Sequence, residues 1–415
     1  MKLLHTGVAL ALLAGPAIAA DSDSLKVPPG FHATIVADGL GPMRHLAIRD
    51  NGDIYLSSGR GIAIEGGAGI VAVRLGADHK ATQIEHFGVV DGGTGIRIWH
   101  NALYAASPSR VYRFSFHGKD LLPNSEPTVI VDHIPKSKQS NHAIVIDQKG
   151  NLYVSVDGTD NICAAPAPSG AAPVGLKPCP DLGVRSGIWK FSATKTGQSF
   201  ERGEQIATGI RDLNAMDAAT DGRLYGIMHG RDTTARQFPA VASQADDDHI
   251  ADEMAVVDKG ADFGWPYSYY DGERKLQLVA PEYGGDGKTV ATGNYVKPVL
   301  TFQSKRAAPL DLVFYNGKMF PAQYRGGAFI ALHGTGGQKI EGGQTGHDIV
   351  FVPRGPDGKI GAPVVFAEGF FETAQRGAPP PANNYRPSGV AVGPDGALYV
   401  VDSVKGRLWR ISYGE

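Results

Sequence analysis

The sequence predicts an all-β fold, a six-bladed β-propeller with inserted loops, and three observations carry that expectation. One hairpin-like pattern recurs six times, its spacing is about 50 residues, and turn formers abound, with 55 glycines and 27 prolines in 415 residues. The copies are "DNGDIYLSS" at Asp50, "WHNALYAAS" at Trp99, "DQKGNLYVSV" at Asp147, "TDGRLYGIM" at Thr220, "YNGKMFPAQ" at Tyr315 and "GPDGALYVVD" at Gly393. Each follows an alternating apolar run, turns at a dipeptide typically of the N-G, D-G or K-G kind, and enters a second apolar run with an aromatic. The fourth and fifth intervals are longer, which places insertions there, including 232–251 and 272–297. No pattern reads as a long helix and no Ser- or Gly-rich linker divides the chain, so residues 25–415 are expected to form one propeller domain. A β-sandwich with long loops is the architectural alternative, although sandwiches do not usually repeat one hairpin.

Ahead of the repeats, MKLLHTGVALALLAGPAIAA (1–20) has a basic start, a short apolar run and a small-residue end, the pattern of a cleaved signal peptide. Nothing later offers the roughly 18 apolar residues of a spanning helix, so a periplasmic or secreted protein with no membrane span is expected. An oxidising compartment lets Cys163 and Cys179 bridge, stapling the Pro/Ala-rich loop that contains both; two free buried thiols are the alternative. Without a C-x-x-C-H motif no haem is attached. Forty basic against 42 acidic residues give no reason to expect nucleic acid or an anionic membrane as partner.

The hairpin rule then groups polar residues. The start of one antiparallel strand and the end of the next share an edge, which joins His142 to Asp157, Arg44 to Ser58 and Arg60, Arg211 and Asn214 to His229 and Arg231, and Arg386 to Asp402. If these are the inner strands, their shared ends ring one mouth of the channel. Arg44, His142, Arg211, Arg306 and Arg386 stand at five of the six starts, a collar suited to an anion with several carboxylates. The alternative is that each arginine is spent on Asp157, Asp212, Asp232 or Asp402. An aspartate beside His142 could fix its tautomer and leave the other nitrogen as a base. The run "ADDDHIADE" (245–253) is either a calcium site, with Asp252 and Glu253 its best ligands, or a solvated loop. Trp265 suits blade packing better than a substrate platform.

The segments "PPGFHATIVADGLGPMRHLAI", "NHAIVIDQKGNLYVSVDG", "GIRDLNAMDAATDGRLYGIMHGRD", "DEMAVVDKGADFGWPYSY" and "YRPSGVAVGPDGALYVVD", in this order, resemble the soluble quinoprotein sugar dehydrogenases. This is the glucose/sorbosone dehydrogenase family, and the likeness is strongest to its sorbosone dehydrogenase branch. The resemblance implies a propeller holding pyrroloquinoline quinone (PQQ) and Ca2+ over the channel mouth. His142 would be the general base and Asp157 its orienting partner. Arg44, Arg211, Asp212, Arg231, Arg306, His333 and Arg386 would contact the cofactor, and the carbonyls of Gly230 and Arg231 would hold calcium. Asp212 departs from the asparagine usual there, and Ser388 from an arginine of the glucose-oxidising branch. The implied reaction is oxidation of a sugar hydroxyl, with electrons leaving to an external cytochrome c or quinone. A calcium-dependent sugar lactonase and a non-catalytic glycan- or protein-binding propeller are the competing readings.

Overall fold

The computed structural model describes residues 25–58, 69–88, 93–136, 142–303, 307–334, 346–371 and 384–414. Its strands form six blades, antiparallel except for a short parallel fifth strand on the second and third. The innermost strands, Met43–Ile48, Ile96–Trp99, Ile144–Ile146, Leu213–Ala218, Pro309–Phe314 and Pro387–Val392, contact one another in a closed ring. Closure is made by the two ends of the chain: Phe31–Ala37 pairs with Leu408–Tyr413 as the outer strand of the sixth blade, with Phe31 opposite Tyr413. The propeller predicted from the repeats is therefore present.

Blade faces are apolar on both sides because each is covered by a neighbour. Between the fifth and sixth blades, Phe31, Phe320, Tyr324, Phe329, Phe366 and Trp409 form one buried aromatic cluster. Neighbouring inner strands come so close that a Cβ on Gly389 would lie 2.5 Å from Arg44 O, and one on Gly95 2.2 Å from His142 O.

Five of the six sequence repeats run directly into the second strand of a blade, as at Ile54–Ser58 and Leu398–Asp402. The fifth does not. "KMFPAQ" is a loop with a short 3-10 turn, and the strand begins later, at Ala328, because Phe320 is drawn into the aromatic cluster. The insertion 232–251 holds two short helices, Thr234–Gln237 and Gln244–His249. The next insertion holds an extra hairpin, Ser268–Asp271 with Leu276–Val279, and so starts before 272. Cys163 and Cys179 are disulfide-bonded. The segment expected to be an export signal, 1–20, lies outside the described residues. No helix among them is long and apolar enough to cross a membrane.

Candidate functional site at the channel mouth

Four inner strands carry an irregularity at the same height, just inside the mouth. The register shifts between Met43 and Leu46, Leu213 and Ala215, Pro309 and Asp311, and Pro387 and Gly389. A bulge adds a residue to one strand and re-aims the side chains beside it. Here it falls beside Arg44, Asn214 and Arg386, and it is repeated around the axis.

Expected neighbours do meet across these hairpins: Met43 faces Ser58, and Ser403 N donates to Arg386 O at 3.0 Å. The mouth has two halves of opposite charge. On one side stand Arg44, His333 and Arg386. Arg386 Nε donates to His333 O at 2.9 Å and its Nη2 to Gly334 O, and neither Arg44 nor Arg386 is ion-paired among the described residues. Burial, with Arg44 beside it, pushes Arg386 down to about 10. Burial also lowers Arg44, against the pull of Asp212. His333 lies 2.7 Å from Ser403 Oγ through Nε2, and burial, then Arg386 and Arg44, hold it well below its ordinary value.

Carboxyls make up the other half. Asp157 is fully buried; Oδ1 accepts Leu213 N–H at 3.0 Å and Oδ2 has no partner among the described residues. Burial and the neighbouring Asp212 raise it well above the carboxylate range. Asp212 accepts from Asn214 Nδ2 at 2.7 Å and lies 3.5 Å from His229 Nδ1. Burial works to raise Asp212, but His229, Arg211 and Arg44 prevail and hold it low.

Several sequence expectations need correction. His142 is not oriented by Asp157: its ring is wholly buried, with Nδ1 2.9 Å from Ser155 O and Nε2 3.2 Å from Pro108 O. Both nitrogens face main-chain carbonyls, and burial lowers the ring's pKa. Asp157 points instead toward the fourth blade. Arg231 is turned from the mouth, paired with buried Glu282 at 2.9 Å and packed against Phe238 and Tyr269. Arg211 is spent on Asp232 at 2.6 Å and on Gly230 O at 2.7 Å. The two oxygens of Asp252 accept Gly230 N–H at 2.9 Å and Ala308 N–H at 3.2 Å. Glu253 is buried beside it, and burial then Asp252 push its carboxyl well up. No cluster of three His, Cys, Asp or Glu able to hold a metal occurs among the described residues. Arg306 and Arg60 lie outside them. Ser388 is structural, 3.0 Å from Met43 O. Trp265 is 5% exposed, covers Gly158 and the disulfide, and donates to Asn161 O at 3.1 Å, which makes it a packing residue.

One contributor has no local signal in sequence. Asn161, on the cysteine-stapled loop, accepts Asp232 N–H at 2.8 Å and donates to Asp232 O at 2.7 Å. It therefore fixes the acid that holds Arg211.

A family model described as TrAA12-like matches residues 25–414. An AA12 carbohydrate-active enzyme of Trichoderma reesei shares 16% identity at a TM-score of 0.74, covering 96% of this chain and 100% of that one. The PQQ domain of pyranose dehydrogenase from Coprinopsis cinerea, in its holo form, shares 19% identity at a TM-score of 0.73 over 94% of this chain and 97% of that one. At such identities the likeness establishes the fold. In sequence, an uncharacterized protein of Borreliella burgdorferi is 22% identical over 340 residues, 78% of this chain and 76% of the relative.

Proposed function

The chain belongs to the TrAA12-like family, and from that premise and the chemistry of the mouth we propose that it is a PQQ-dependent dehydrogenase of sugar hydroxyls. One observation carries the reading: Arg44 and Arg386, half-buried beside each other, are in no ion pair among the described residues, and only Asp212 acts on Arg44 as a counter-charge. Two desolvated guanidiniums are costly together unless an anion joins them, and a quinone with several carboxylates fits that need. In this reading Arg44, Arg386 and His333 hold the cofactor's acidic edge, and Ser403 orients His333 through Nε2. The bound ortho-quinone supplies the electrophilic centre that accepts hydride. The protein's part is to fix the sugar against it, to exclude water and to take the hydroxyl proton.

The Gly230 and Arg231 carbonyls are the calcium ligands of this proposal, without Asp252 and Glu253. Arg211 Nη1 then has to leave Gly230 O for the ion to enter. The proposed substrate is an aldose, sorbosone or a related pyranose, the acceptor an external cytochrome c or quinone, and the compartment periplasmic or extracellular. The fold's holo relative with a PQQ domain supports the cofactor assignment. A lactonase needs carboxylates converging on a metal, and no cluster of three His, Cys, Asp or Glu able to hold one occurs among the described residues.

The experiment is titration of apoprotein with PQQ, with and without Ca2+, followed by dye reduction over a panel of sugars. Saturable quinone binding and sugar-dependent dye reduction are expected. Lactone hydrolysis without quinone, or glycan binding without turnover, would overturn the reading.

A further inference from the structure

We propose that the end of the channel opposite the candidate site is a second binding site, for a small primary alkylammonium ion, with its charged head on Asp217 and its stem inside a collar of aliphatic side chains. The proposal goes beyond the quinone reading and does not depend on it.

The far ends of the six inner strands build the site. Each strand places one half-buried aliphatic residue there: Ile48, Ile98, Ile146, Ala218, Val313 and Val392, from the first blade to the sixth. All six line one cavity of about 290 Å³, room for roughly ten waters at about 30 Å³ each. Arg97 and Asp217 line the same cavity. An aliphatic wall in contact with water favours a ligand that carries apolar surface of its own.

Three side chains cross the axis between this cavity and the mouth. His45 reaches from the first blade to the fifth, with Nε2 2.7 Å from Leu310 O. Arg97 reaches from the second blade to the fourth, where Nη2 donates to Met216 O at 3.0 Å. Asp311, wholly buried, accepts Val390 N–H at 3.0 Å and lies 3.7 Å from Arg97 and 3.9 Å from His45. Burial holds His45 below its ordinary value of 6.5, so at neutral pH it adds no full positive charge.

Arg97 is thus matched by Asp311, whereas no ion pair reaches Asp217 among the described residues. The charged groups facing Asp217 are Arg97 from the second blade and Asp311 from the fifth, and burial outweighs the pull of Arg97 to raise its carboxyl to about 6. One positive charge therefore stands against two negative ones at the inner end of the cavity. Main-chain N–H groups of Phe314, at 2.8 Å, and of Ala218 donate to the Asp217 carboxyl. A carboxylate offers about four acceptor sites, so sites remain toward the cavity.

A desolvated carboxylate is costly until a cation joins it, and an ammonium group brings three donors on a compact charge. The collar selects among cations. A divalent metal ion needs several oxygen ligands, which six aliphatic side chains do not provide. A neutral sugar would leave the surplus negative charge unmatched and set its hydroxyls against the aliphatic wall. An alkylammonium meets both demands at once.

The test is isothermal titration of the full-chain apoprotein with ethyl-, propyl- and butylammonium chloride, against 1-butanol and butanoate. Each added methylene should tighten binding about threefold to fourfold, and butylammonium should bind at least about tenfold more tightly than 1-butanol or butanoate. Between pH 5 and pH 7 butylammonium affinity should rise about tenfold, as a carboxyl near 6 ionises. These readings use the wild type and need no variant to fold. Asp217→Asn should weaken butylammonium binding by about tenfold or more and leave PQQ affinity within about twofold of the wild type. No saturable butylammonium binding up to ~0.1 M, equal binding of 1-butanol, or unchanged butylammonium affinity in Asp217→Asn would overturn the proposal. A wild-type protein that binds butylammonium but no quinone would sink the reading of the mouth alone.

Discussion

Arg386→Met separates a cofactor-binding arginine from a structural one. A guanidinium held at about 10 instead of 12.5 is disfavoured as a cation by about 3 kcal/mol, at ~1.36 kcal/mol per pH unit, and its remaining contact with water screens that to about 1–2 kcal/mol. Methionine removes this penalty and keeps the apolar stem. It forfeits the hydrogen bonds to His333 O and Gly334 O, worth about 0.5–1.5 kcal/mol each on net. The two effects nearly cancel, so the apoprotein's Tm should move by no more than a few degrees. Quinone binding loses a charge-assisted contact of about 1.5–3 kcal/mol, a weakening of roughly 10- to 150-fold. Differential scanning fluorimetry and isothermal titration with PQQ read the two quantities. A large fall in Tm with unchanged quinone affinity would show that Arg386 holds blades together and that the collar argument fails.

Reducing Cys163–Cys179, or replacing both with Ser, opens a loop closed across 16 residues and should cost about 3 kcal/mol, seen as a lower Tm that added dithiothreitol does not lower further in the double variant. His142→Ala should lose about 2–4 kcal/mol by cavity formation and lost hydrogen bonding, while kcat per folded molecule stays within tenfold; a far greater kcat loss would restore His142 as the base. Asp217 lies at the opposite mouth, in a cavity of about 290 Å³ also lined by Arg97, Ile48, Ile98 and Phe314, and burial raises its carboxyl to about 6. A raised folded value gives stability that is full below the unfolded value of 3.8 and is lost as pH climbs through about 6. Asp217→Asn should therefore be more stable than wild type by about 1–3 kcal/mol at pH 7 and not at pH 4, and parallel Tm-against-pH curves would refute it. Calcium and Arg211 compete for Gly230 O, so Arg211→Met apoprotein should bind Ca2+ more tightly in calorimetry than wild type; equal or weaker binding would remove Gly230 from the calcium set.

Much of the fold was readable because a blade is a local object. Alternation, a turn dipeptide and a following aromatic run are all decided within about ten residues, and repetition multiplies that signal. The fifth repeat misled because Phe320 packs in an inter-blade cluster, a fact about another blade and not about its own hairpin. The site was half readable for a related reason. Hairpin register gathered Arg44, Asp157, Arg211 and Arg386 at one mouth, and the family resemblance added His333. It could not say which cations are free. Asp232 lies 21 residues from Arg211 and Glu282 lies 51 from Arg231, and only the inserted loops bring each acid to its arginine.

The amino-acid sequence alone determined how many blades there are, which ends of the strands meet, and which residue types face the channel, since these follow from periodicity and chain direction. The tertiary structure decided protonation and partnership. The His142 ring lies between two main-chain carbonyls, and the Asp157 carboxyl is pushed up where burial sets it against a second acid. Those outcomes depend on distance and dielectric between segments far apart in the chain, and a linear order of residues carries no measure of either.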